Sequence, residues 1–136
     1  SQPPILMHPA DEPLLRNAVA AAAAWSFTID APPLTTTDLQ HGQVLTLNGV
    51  SATALHTPGH APGHVAFHFP ALGLVLAGDA LFKGSVGRTD LPLADPRQLL
   101  DSIRRELLSL PDDTTVLPGH GPATTIGAER YSNPFL

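Results

Sequence analysis

Two histidines and an aspartate stand where chemistry could occur. The run His56-Thr57-Pro58-Gly59-His60-Ala61-Pro62-Gly63-His64 is followed by Gly78-Asp79 and then by Pro118-Gly119-His120-Gly121. His60, Asp79 and His120 are candidate metal ligands, each beside glycine and each after a strand-like apolar run. Imidazole with carboxylate suits zinc or iron, whereas magnesium and calcium take oxygen shells. Three such residues would complete the protein ligands of one metal ion and fall short of two. Singly, each has a plainer reading: a loop or core histidine, a turn-capping aspartate, a tight Pro-Gly-His-Gly turn. The joint pattern outweighs these, because Thr-Pro-Gly-His-x-Pro-Gly-His is unusual for a loop with only a structural role.

The flanking sequence says how these residues would be positioned. Ile5-Leu6-Met7 predicts a short strand, and Asp11 with Pro13 predicts a helix start continuing from Leu14 to Trp25, through the alanine run 20–24. Residues 26–40, with Pro32-Pro33 and three threonines, predict a loop. Val44–Leu47 and Val50–Leu55 flank Asn48-Gly49, a strong hairpin signal. Val65, Phe67 and Phe69 alternate with Ala66 and His68, the period of a half-buried strand, and Leu74–Ala77 reads as a strand covered on both faces. Asp95-Pro96 opens a helix whose apolar stripe is Leu100, Ile103, Leu107 and Leu110. Thr115–Leu117 predicts a last strand and Ile126–Tyr131 a last helix. The pattern is mixed α/β, with helices packed on sheet.

Composition narrows the function classes. The 136 residues are 43% hydrophobic and 14% charged, as expected of one folded domain. A net charge of −5 with no Lys/Arg cluster offers nothing to nucleic acid or an anionic membrane. No apolar run approaches the roughly 20 residues of a bilayer span. The absence of cysteine removes disulfides and thiolate ligands, and fits a cytoplasmic protein.

Several motifs in order carry a resemblance: His56 to His64, Ala77-Gly78-Asp79-Ala80-Leu81-Phe82-Lys83-Gly84-Ser85-Val86-Gly87-Arg88-Thr89-Asp90, Leu110 to Thr114, Pro118 to Gly121, and the ending Asn133-Pro134-Phe135-Leu136. Together they resemble the metallo-β-lactamase superfamily, specifically its short glyoxalase-II-like hydrolases. The resemblance implies the C-terminal portion of an αββα sandwich. It implies that His60 binds a first metal, His120 a second, and that Asp79 bridges both and is catalytic. His64 and His56 would orient the loop, and His8, His41 and His68 would be structural or solvated. Arg88 matches a basic position that contacts an anionic thiol such as a glutathione conjugate; a salt bridge to Asp90 is the equal alternative, and Lys83 is a weaker candidate. The implied cofactor is Zn2+, two per intact site, with iron possible. The implied substrate is a small acyl thioester.

One family signature, a His-x-His-x-Asp-His loop, is absent, and residues 1–136 are therefore expected to form a single partial domain lacking it. In relatives that loop would fall at or just before Ser1. Weak or absent metal binding and near-background hydrolysis are expected, as is self-association through apolar faces around Leu45, Leu47 and Val75. Two other readings stay open. One is an iron-dependent persulfide dioxygenase of the same fold; the other is a non-catalytic fragment.

Overall fold

The computed structural model describes residues 3–136. Its centre is a six-stranded mixed sheet. The hairpin β3 (Val44–Leu47) and β4 (Val50–His56) turns at Asn48-Gly49, as the sequence requires. Beside it lie β5 (Val65–Phe69) and β6 (Leu74–Gly78), then β9 (Thr115–Pro118) and the short β10 (Thr124–Thr125), in spatial order β10-β9-β6-β5-β4-β3. All neighbours are antiparallel except β6 and β9, which run parallel. The crossover between them carries a hairpin of β7 (Leu81–Phe82) and β8 (Ser85–Val86), then α3 (Pro96–Ser102).

This topology aims three strands one way. Because β4 and β6 are both antiparallel to β5, they share a direction, and β9 is parallel to β6. The carboxyl ends of all three meet one edge, where His60, Asp79 and His120 follow. Open α/β sheets place their sites at such carboxyl ends.

Helices cover one sheet face. Ala66, Val75, Ala77 and Val116 pack with Leu99, Ile103 and Leu107, and with Ile126 of α4 (Ile126–Ser132), in one fully buried cluster. Asp95 caps α3 by accepting from Gln98 N–H at 3.0 Å, and Ser102 hydroxyl donates to Pro58 carbonyl at 2.7 Å, fastening α3 to the His60 loop. The stripe begins at Leu99 rather than Leu100, and residues 103–107 form a π turn in which Leu108 N–H reaches Ile103 carbonyl. The extra residue in that turn rotates the face a regular 3.6 period would present. Arg130 of α4 bonds Leu108 and Leu110 carbonyls and pairs with Asp112.

Several expectations are corrected. Leu74–Ala77 is covered on one face only: Val75 and Ala77 are buried, whereas Leu76 is 39% exposed. Val75 thus does not belong to an exposed patch; the open face carries Leu76, its neighbour Leu117 and, at the sheet edge, Leu47. On β5 it is Ala66, not the phenylalanine side, that is fully buried, since its small side chain lets the helices approach closely. The predicted helix Leu14–Trp25 is two pieces, α1 (Glu12–Arg16) and α2 (Ala18–Ala24), broken at Asn17. Inside the predicted loop 26–40, β2 (Thr37–Asp38) pairs in parallel with β1 (Leu6–Met7). No helix among the described residues is long and apolar enough to cross a membrane.

Candidate metal centre

Asp79 lies between two imidazoles. Its Oδ2 is 3.7 Å from Nε2 of His60 and its Oδ1 is 3.6 Å from Nε2 of His120. Ligands about 2.1 Å from one tetrahedral ion stand about 3.4 Å apart, so each His–Asp pair has the spacing of two ligands on a common ion. Among the described residues no three donors converge on a single point. The arrangement is two His–Asp pairs that share one carboxylate.

The protein fixes the His60 ring from behind. Its Nδ1 lies 2.8 Å from the Arg88 carbonyl, which can only accept, so Nδ1 carries a proton and Nε2 faces Asp79. Metal-ligating histidines are oriented by such outer bonds. His120, three-quarters exposed, is held instead by stacking on Phe82 at 4.5 Å between centroids. Gly119 permits the approach of Asp79: a Cβ there would lie 2.4 Å from Oδ1.

Four of the other histidines make bracing contacts. His64 is mostly buried; its Nε2 accepts from Asp79 N–H at 3.1 Å and its Nδ1 meets Thr57 Oγ1 at 2.8 Å. Burial, then the neighbouring His60, hold its pKa below the usual histidine value. Gly78, at φ +52, leaves the space its ring occupies. His56 Nε2 bonds Pro62 carbonyl at 2.8 Å, and His41 Nδ1 accepts from His56 N–H at 3.0 Å. His8 stacks on His56 at 3.9 Å. His68 lies on β5, away from the cluster, its pKa lowered by burial.

Three contributors escaped the sequence reading. Asp11 makes no helix-capping bond; its Oδ1 accepts from Gly63 N–H at 2.6 Å and so braces the His60 loop from 52 residues away. Phe82 gives His120 its stacking surface. Glu129 anchors the β7–β8 hairpin beside the site. No local spacing signals such long-range contacts.

His60, Asp79 and His120 line one cavity of about 390 Å³ with Lys83, Ser85 and Arg88. Arg88 serves twice. Its carbonyl orients His60, while its guanidinium makes a two-pronged pair with Asp90 at 2.7 and 2.8 Å. That pairing raises the Arg88 pKa and lowers that of Asp90. Among the described residues Lys83, exposed at the cavity wall, forms no ion pair.

A model of the metallo-β-lactamase superfamily matches residues 1–120. The chain belongs to this superfamily. As a metallo-β-lactamase superfamily protein it is similar to hydroxyacylglutathione hydrolase GloC of Haemophilus influenzae, 48% identical over 97 residues that cover 71% of this chain and 46% of that one. Among solved structures it resembles TTHA1623 in a di-iron-bound form, at 53% identity and a TM-score of 0.87, covering 98% of this chain and 65% of that one. It also resembles ETHE1 from Myxococcus xanthus, at 28% identity and a TM-score of 0.70, covering 87% of this chain and 55% of that one. The chain thus spans about half to two thirds of the length of these relatives. The superfamily consists mostly of hydrolases and binds a dinuclear metal, and the His–Asp–His geometry fits two shared half-shells.

Proposed function

We propose that this chain contributes half of the ligand set of a dinuclear metal-dependent hydrolase acting on acyl thioesters. The observation that carries the reading is the Asp79 carboxylate, one oxygen toward each of two histidines that approach from opposite sides. His60, with its tautomer set by the Arg88 carbonyl, and His120 would hold one ion each, and Asp79 both. Ions so held supply a water of lowered pKa and polarise a carbonyl. Lys83, and Arg88 where Asp90 gives way, bind an anionic thiol arm. In the net reaction water adds oxygen to the acyl carbon, the carbon–sulfur bond breaks, and the thiol leaves with a proton. Zinc or iron suits the donor set equally. The name of the Haemophilus influenzae relative supports thioester chemistry.

The likeness to ETHE1 favours a second reading, a persulfide dioxygenase using one iron. One ion would engage a single His–Asp pair, whereas the near-equal spacing of His60 and His120 from Asp79 suits two.

The test combines metal binding with turnover. A catalytic zinc usually keeps three protein ligands, so calorimetric zinc titration of the chain should show weak binding that Asp79→Ala abolishes. Acyl-thioester cleavage should lie near background in the chain alone. It should rise when the chain is joined to the part of TTHA1623 outside the match, and fall again with Asp79→Ala. Oxygen uptake with iron in place of thiol release would decide for the dioxygenase. Tight binding of two zinc ions by the chain alone would refute the half-shell reading.

A further inference from the structure

A second cavity meets the metal centre at His60. It encloses about 480 Å³ between α2 and the Leu91-Pro92 turn, with Leu14, Ala21, Ala24, Trp25 and Ala61 among its walls. Its size falls within the roughly 300–1,000 Å³ of small-molecule sites. The helical wall is unusual. Residues 18–24 read Ala-Val-Ala-Ala-Ala-Ala-Ala, and none is buried. A helix apolar all round is ordinarily enclosed by core; here the alanines leave their face to the cavity, and Trp25 beside them is 65% exposed. No Asp, Glu, Lys or Arg lines this space, whereas the cavity that Asp79 lines, sharing His60 with this one, holds Lys83 and Arg88.

A thioester carbonyl positioned at Asp79 sends two arms away from it, and these two cavities share the His60 wall. A charged thiol arm suits the side with the cations. We infer that the apolar groove receives the acyl arm, and that the substrate class is thioesters of extended hydrocarbon acyl groups rather than short hydroxyacyl ones. This rests on the thioesterase reading for the reaction, though not for binding.

Trp25 is the only tryptophan in the chain, so its fluorescence reports on the groove directly. The probes are S-alkyl glutathione thioethers from S-methyl to S-octyl, which carry both arms and cannot be hydrolysed. Trp25 emission should shift to shorter wavelength as the alkyl chain lengthens, with affinity rising up to about fourfold per buried methylene. Leu91→Asp and Ala21→Asp should flatten that dependence with circular dichroism unchanged. Equal affinity for methyl and octyl thioethers, or an unchanged slope in both variants, would overturn the inference. Length-dependent binding without thioester cleavage in the joined protein would uphold the groove and sink the thioesterase reading. Cleavage indifferent to acyl length would do the reverse.

Discussion

The backbone N–H of Asp79 donates to Nε2 of His64 at 3.1 Å. With Nε2 accepting, the ring proton sits on Nδ1 and points to Thr57 Oγ1, itself fully buried. The imidazole is neutral and fixed, and it sets the peptide from which the Asp79 carboxylate projects.

His64→Ala should therefore cost about 2 kcal/mol in denaturant unfolding, from the lost packing and one unpaired N–H. His64→Gln, whose carbonyl can accept the same bond, should recover about half. Asp79→Ala should barely alter stability, because that side chain is 40% exposed. Its effect should fall on metal binding, where His64→Ala is milder. A His64→Ala protein as stable as the parent would show that the bond positions nothing.

Glu129 is 3% exposed and accepts from Gly84 N–H at 2.7 Å, Thr124 Oγ1 at 2.6 Å and Asn133 Nδ2 at 3.1 Å. Asn133 Nδ2 also donates to Ser85 carbonyl, so α4 and the Asn-Pro-Phe-Leu ending clamp the hairpin that carries Lys83. Glu129→Ala leaves three donors without an acceptor and should lower unfolding free energy by about 3 kcal/mol. Glu12→Ala, on the surface, should change it by less than about 0.5 kcal/mol. Equal effects of the two substitutions would contradict the clamp.

His8 provides a pH dependence. Burial first, then the stacked His56, lower its pKa, against the opposing pull of Asp11 and Asp38. As pH falls through about 6.5 the unfolded chain takes up this proton before the folded one does. Stability is thus full above that pH and declines as pH drops toward the lower folded value. Protonating Nδ1 also breaks its bond from Ala10 N–H, which is 3.1 Å long. Melting temperatures between pH 7.5 and 5.5 should fall less steeply in His8→Phe, which keeps the stack without the charge. The slope should persist in part, since His64 and His68 are lowered too. An identical slope would remove His8 from the account.

The exposed leucines of β6 and β9 predict association. Leu76 and Leu117 are register neighbours, 39% and 37% exposed, and Leu47 at the edge is 60% exposed. The neighbouring Leu76 and Leu117 are exposed apolar surface of the kind that drives contact between chains. Light scattering should show mass rising with concentration, and Leu76→Lys with Leu117→Lys should suppress it. A parent chain monomeric at high concentration would count against the prediction.

Local spacing was enough to place the Asn48-Gly49 hairpin, the Asp95 cap and the three donors at strand ends, because turns, caps and periodicity are written within a few consecutive residues. It could not say which side of Leu74–Ala77 would be covered, since an apolar run has no alternation to read. Nor could it pair β6 with β9, join Asp11 to Gly63, or turn the two oxygens of Asp79 toward different histidines. Those contacts link residues 19 to 52 positions apart, and only the packed chain brings them close. The donors' identities belong to the sequence. Their common focus belongs to the fold, because three strands running in one direction end at one edge.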